Sequence, residues 1–137
     1  MRLLFEKKIF GYNPNTVKHL ISDMMDCLNR WNELEEEEEF EFRLILNELI
    51  ANGIMHGNKK CEQKALTASI YEVNSDTVSI YIQDEGIGFN YQKIICEECI
   101  PYMEGGRGLK IIMALCDDME FSYNGSRVKV SKSVKRE

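Results

Sequence analysis

The chain carries Glu48-Leu-Ile-Ala-Asn52, then Asp84-Glu-Gly86-Ile-Gly88-Phe89, then Gly105-Gly-Arg-Gly108-Leu109, in that order. Any one of them is weak alone, since Glu-x-x-x-Asn is common on helices and Asp-x-Gly-x-Gly recurs in loops. A carboxylate and an amide one helical turn apart point the same way, so Glu48 and Asn52 can share one small site. The two glycine-rich segments supply turns where backbone can approach phosphates unobstructed by a Cβ. Read separately, the three are an exposed helix edge, a plain turn and a flexible loop. Read together, each at an element boundary, they point to a nucleotide site.

The first segment lies on a helix expected over residues 37–56, with Phe42, Ile45, Leu46, Leu49 and Gly53 on its buried face and Glu48, Asn52 and His56 along one edge. Glu35 to Glu39 precede it, and like charges at that density favour solvent while suiting a helix N-terminus. The run reads as a solvated loop entering the helix rather than a metal-binding tract. Upstream, residues 2–10 suit a strand. Asn13 or Asn15 can cap a following helix, with Pro14 in its first turn. Val17, Leu20, Ile21, Met24, Leu28 and Trp31 have helical spacing over 15–31. That stripe serves either as core or as a partner surface, and spacing leaves both open.

Downstream, residues 65–73 and 77–83 alternate as strands about the turn Asn74-Ser-Asp76, and Asp84 ends the second. Residues 86–105 read as loop, with a short helix around 92–99. Leu109, Ile111, Ile112 and Leu115 mark a third helix starting at the glycine-rich turn. Met119–Tyr123 and Arg127–Val134 read as a hairpin about Asn124-Gly125, a pair that favours the turn matching strand twist. The expected fold is α+β: a two-layer sandwich with helices on one face of a mixed, largely antiparallel sheet.

The 137 residues suit one domain, 1–137, with no internal repeat or linker. A net charge of −6 argues against an exposed nucleic-acid-binding face. Lys129, Lys132, Lys135 and Arg136 are the one basic cluster and read as a solvated last strand and tail. The sequence has neither a long apolar run nor a signal peptide, so a soluble, cytoplasmic protein without membrane contact is expected. The five cysteines are scattered, and reduced thiols are the default in such a chain. Cys96-Glu-Glu-Cys99 has metal-ligand spacing, but a closed zinc site needs about four ligands, so the pair reads as incidental.

The three segments resemble the N, G1 and G2 boxes of the GHKL ATP-binding fold, the group that includes gyrase, histidine kinases and MutL. Asn52-Gly-Ile-Met-His-Gly-Asn58 and Leu115-Cys-Asp-Asp-Met-Glu-Phe121 are similar to the small bacterial anti-sigma-factor serine/threonine kinases. So is the chain's size, which leaves no room for the upstream dimerisation helix of histidine kinases or the second domain of gyrase and MutL. The resemblance implies ATP and Mg2+ as cofactors. It makes Asn52 the Mg2+ ligand, Glu48 the catalytic base, and Asp84 the acceptor for the adenine amine, with Ser126 helping to hold the base. Gly86 and Gly88 would form the turn beside the base. Gly106, Gly108 and the amide of Leu109 would meet the phosphates at a helix N-terminus.

The chain departs from that pattern at Gly105, where these kinases often carry a basic or hydroxyl side chain, leaving Arg107 or Lys110 to supply positive charge. The lid between Asn90 and Glu104 is short, and Glu97 and Glu98 make it acidic. By resemblance the chain phosphorylates an anti-anti-sigma factor, sequesters a sigma factor and forms a homodimer. Glu48 favours this kinase reading. Gly105 and the acidic lid favour an ATP-sensing module that transfers no phosphate, and the ATPase piece of a split two-component kinase is a third option.

Overall fold

A computed structural model describes residues 1–86 and 104–135, with the backbone alone at 104–107. The described elements are β1 (Arg2–Phe10), α1 (Pro14–Trp31), α2 (Glu36–Asn52), a π-helical turn (Gly53–Gly57), β2 (Ala65–Asn74), β3 (Thr77–Gln83), α3 (Glu104–Leu115), β4 (Asp118–Ser122), a 3-10 turn (Tyr123–Gly125) and β5 (Arg127–Ser133). The strands form one sheet in the order β1-β2-β3-β5-β4. β3 is therefore central, and Asp84 at its end emerges at the middle of the sheet.

Every described pairing is antiparallel, so the expectation of a mixed sheet narrows to an antiparallel one. For two of the pairings the reason is the connections: a tight turn joins β2 to β3 and another joins β4 to β5, and short links permit only antiparallel neighbours. In the first, Asn74 Oδ1 accepts the Asp76 N–H at 3.0 Å. In the second, Tyr123, Asn124 and Gly125 all take positive φ, a region in which Asn and Gly are the least strained residues.

One core joins the layers. Leu20, Met24 and Leu28 of α1 and Phe42, Ile45, Leu46 and Leu49 of α2 pack with Ile70, Ile80 and Val130 of the sheet and Ile112 of α3. The α1 stripe is thus core; Val17 and Trp31 are its half-buried ends, and the Trp31 indole N–H donates to Glu72 at 3.0 Å. Asn13 caps α1, its Oδ1 accepting the Asn15 N–H at 2.9 Å, with Pro14 in the first turn. Phe42 is fully buried, which is worth about 1.5–3 kcal/mol in apolar transfer alone.

Four expectations are corrected. α2 ends at Asn52 rather than near residue 56, because the chain widens into the π turn as Gly53 passes so close to the sheet that a Cβ there would strike Leu66. α3 begins at Glu104, so the glycine-rich segment is helical rather than the loop before a helix. The acidic run is not wholly solvated, since Glu38 is buried, accepting the N–H of Glu35 and of Lys135, each at 3.0 Å. Lys132, expected in solvent, is buried at 6% exposure. The suggested helix at 92–99, Gly88, the lid, Cys96, Cys99 and Arg136 lie outside the described residues. Among the described residues no helix is long and apolar enough to cross a membrane.

Candidate functional site

Asp84 is the first residue after the central strand. Because Gln83 pairs with Arg127 across β3 and β5, the ladder carries one step further: the Asp84 N–H donates to the Ser126 carbonyl at 2.9 Å. The side chain turns back, and Oδ1 accepts the Gly86 N–H at 2.8 Å, a local turn characteristic of Asp. A Cβ on Gly57 would fall on the Asp84 carboxylate, and a Cβ on Gly86 would fall on the Gly57 carbonyl. Two glycine backbones therefore close on one carboxylate, an approach no larger residue permits. Burial pushes the Asp84 carboxyl above the ordinary carboxylate range, opposed by the Gly86 N–H and the Lys64 charge. Among the described residues no donor reaches Oδ2.

Asn58 holds this arrangement in place. It is 3% exposed; its Oδ1 accepts the Glu85 N–H at 2.6 Å, and its Nδ2 donates to the Ala65 carbonyl at 2.9 Å. The Glu85 carboxylate in turn accepts the Ala65 N–H. The start of β2 is thus bracketed from both sides, and the π turn, β2 and the turn after Asp84 become one hydrogen-bonded unit.

A second contact lies further back along α2. A Cβ on Gly108 would fall on Glu48 Oε2, so the Glu48 carboxylate rests on the backbone of α3. Asn52 comes one turn later, half-buried, with no hydrogen bond to its amide among the described residues. From Glu48 to Gly57 the helical backbone advances roughly 13 Å at about 1.5 Å per residue. The glycine-lined carboxylate and the contact with α3 therefore occupy the two ends of one continuous strip. Through these glycine contacts the stretch from Glu48 to Gly57 meets the turn after β3 at one end and α3 at the other.

The family model for the histidine kinase-like ATPase domain matches residues 10–132. The chain belongs to that family. Curated relatives include the serine-protein kinase RsbW of Staphylococcus epidermidis, 26% identical over 104 residues. RsbW of Staphylococcus aureus is 25% identical over the same length. In both cases the match takes in 69% of this chain and 65% of the relative, so the chain spans just under two thirds of these relatives' length.

For a histidine kinase-like ATPase domain, the residues picked from sequence gather at the two ends of the strip. Asp84, Gly86 and Ser126 share one cluster, with Ser126 joined to Asp84 through its backbone while its Oγ donates to the Tyr123 carbonyl at 2.9 Å. Glu48 and Gly108 touch, and Asn52 lies between the two contacts. Gly105, Gly106 and Arg107 fall in the first turn of α3, whose first four N–H groups have no intrahelical acceptor. Leu109 lies beyond that turn, and its N–H belongs to the helix ladder. Lys110 is half-buried in the second turn. The side chain of Arg107 and the whole of Gly88 are outside the described residues.

Sequence reasoning assigned no role to Gly57, Asn58 or Glu85. The signal for Gly57 and Asn58 was present in the His56-Gly57-Asn58 motif, which marks where the chain leaves α2, and Glu85 lies inside the Asp84-Glu-Gly86 segment. Among the described residues there is no cluster of three His, Cys, Asp or Glu side chains that could hold a metal. A hard cation such as Mg2+, which accepts one amide oxygen and completes its shell with phosphates and water, suits Asn52.

The raised Asp84 carboxyl has a stability consequence. With its native-state affinity for a proton above the unfolded value, the folded chain binds more protons in that window, so this residue lowers stability as pH rises through it. Asp84→Asn keeps the acceptor for Gly86 without the buried charge. It should melt at or above the wild-type temperature at pH 7, with the difference shrinking toward pH 4. Calorimetric melts across that range check this.

Proposed function

We propose that the chain binds ATP along the strip from Asp84 to Glu48, as an anti-sigma regulatory factor that phosphorylates a serine or threonine on an anti-anti-sigma partner. The observation that carries the reading is the buried Asp84 carboxylate, with one oxygen occupied by Gly86 and the other, among the described residues, meeting no donor beside the Gly57 backbone. An adenine exocyclic amine would donate to this oxygen; guanine offers a carbonyl there and is refused. Ser126 and the turn through Gly86 and Gly88 flank the base. At the other end, the amides of the first turn of α3, at Gly105 and Gly106, favour phosphate, helped by the helix dipole. Lys110 and Arg107, both on α3, would supply positive charge.

Bound Mg2+, held by the Asn52 side-chain oxygen and the phosphates, would supply charge neutralisation as phosphoryl is transferred. Glu48 takes the proton of the partner's hydroxyl. Its contact with Gly108 aims the carboxylate over the start of α3, where the terminal phosphate would lie. The nucleophile belongs to the partner, so the chain's own work is positioning and electrostatics. The serine-protein kinase named in the RsbW relatives supports the serine kinase reading. A single domain acting in the cytoplasm, sigma-factor sequestration and homodimerisation belong to the same proposal, carried by the sequence resemblance alone.

Asp84→Asn should lower ATP affinity by roughly ten- to a hundredfold in titration calorimetry, matching the 1.5–3 kcal/mol of a hydrogen bond to a charged acceptor. Unchanged affinity would remove the adenine assignment. Asn52→Ala should weaken ATP binding when Mg2+ is present and hardly at all in EDTA. Equal weakening in both would make Asn52 a packing residue.

Glu48→Gln should bind Mg-ATP nearly as wild type but transfer phosphate about 10²–10⁴-fold more slowly to a purified anti-anti-sigma partner, the usual contribution of a general base. A wild-type chain that binds ATP yet transfers to no partner would favour the sensor module, as Gly105 and the acidic lid suggest.

A further inference from the structure

Lys132 is the one buried lysine among the described residues, and its surroundings span three elements. From β5 its Nζ donates to the Leu115 carbonyl, the last residue of α3, at 2.5 Å. The same Nζ pairs with Glu41 of α2 at 3.1 Å and lies 5.7 Å from the centre of the Phe42 ring. A cation at a helix C-terminus satisfies both an orphan carbonyl and the negative end of the dipole. Here the cation is also shared with the neighbouring helix.

The spacing gives this clamp its reach. Glu41 and Glu48 are seven residues apart on α2, and Leu115 and Gly108 are seven residues apart on α3. At one end Lys132 joins Glu41 to Leu115; at the other Glu48 rests on Gly108. The helices run antiparallel in one register, fixed at both ends of a two-turn segment with Ile45 and Ile112 fully buried within it. Sliding α3 along α2 by even part of a turn breaks the Lys132 contacts and drives helix backbone into the Glu48 carboxylate. Just beyond α3, the Asp117 N–H and carboxylate bond to β5 instead, at Ser131 and Ser133, and so do not tie this end of α3 to α2.

We infer that Lys132 is a positioning residue that sets the axial register of α3 against α2, and so seats the first turn of α3 and the Glu48 carboxylate for the phosphates of the nucleotide. The consequence for phosphates rests on the proposed ATP binding; the register does not. Lys132 touches no substrate. It acts through Leu115 and Glu41, two turns from the residues it positions.

The test compares wild type with Lys132→Met and with the double variant Lys132→Met/Glu41→Leu. The double variant removes both charges, so no orphan carboxylate is left to unfold the chain. Amide hydrogen exchange in the absence of any ligand should speed up about tenfold at Gly108 and Leu109 in the double variant while the β3 amides keep wild-type protection. In the same variant ATP affinity should fall about tenfold while adenosine affinity changes less than about twofold, because displaced donors act only on phosphates. Unchanged exchange at Gly108 and Leu109, acceleration spread evenly over sheet and helices, or equal loss of ATP and adenosine would each overturn the inference. Wild-type protein that binds neither ATP nor adenosine would instead defeat the nucleotide reading, and the exchange comparison would then decide the register alone.

Discussion

Burial of the Asp84 carboxylate at the end of the central strand is the constraint on which the rest of the site depends. A buried carboxylate is costly unless it is hydrogen-bonded, and here one oxygen is satisfied from within its own turn by Gly86. The neighbouring chain must approach closely to exclude water, which requires glycine at both 57 and 86. Close approach in turn requires the segment after α2 to be held down, and Asn58 and Glu85 do this by capturing both polar groups of Ala65. The raised proton affinity of Asp84 is the residual cost of the arrangement. Such a cost is expected where a site is organised for a ligand rather than for the fold alone.

The second organising relation is between α2 and α3. Both present apolar residues to the sheet, and hydrophobic burial alone fixes how far they stand from it but only loosely how they sit along one another. Directional contacts supply that missing coordinate: Lys132 between Glu41 and Leu115, and the Glu48 carboxylate on the bare backbone of Gly108. The proposed phosphate contacts at the start of α3 need this kind of axial precision. A helix displaced by a fraction of a turn points its free N–H groups elsewhere.

Much of this was legible in the chain. The strands at 2–10, 65–73 and 77–83, the helix at 15–31 and the closing hairpin arise from period and turn chemistry, and each appears within a residue or two of its expected bounds. The glycine-rich boxes and the Glu48/Asn52 pair were legible as well, because backbone freedom and side-chain spacing on a helix are local properties. Where α3 starts was not legible. Gly105, Gly106 and Gly108 have low helix propensity, and the helix holds through them with Leu109 and Ile112 buried against the core.

Charge was read least well, for a related reason. Glu38 and Lys132 look like members of solvated runs, yet each is buried with partners that lie far off in sequence, Lys135 for one and Glu41 for the other. Local chemistry was enough to specify most of the elements and the antiparallel turns, and to propose residues for a nucleotide site, since those depend on φ, ψ and periodicity within a few residues. Packing of the whole chain was needed to bring Gly57 onto Asp84, to set Gly108 under Glu48, and to let one lysine lock two helices. Contacts of that kind depend on distances between segments remote in the chain, and these are set when the core packs.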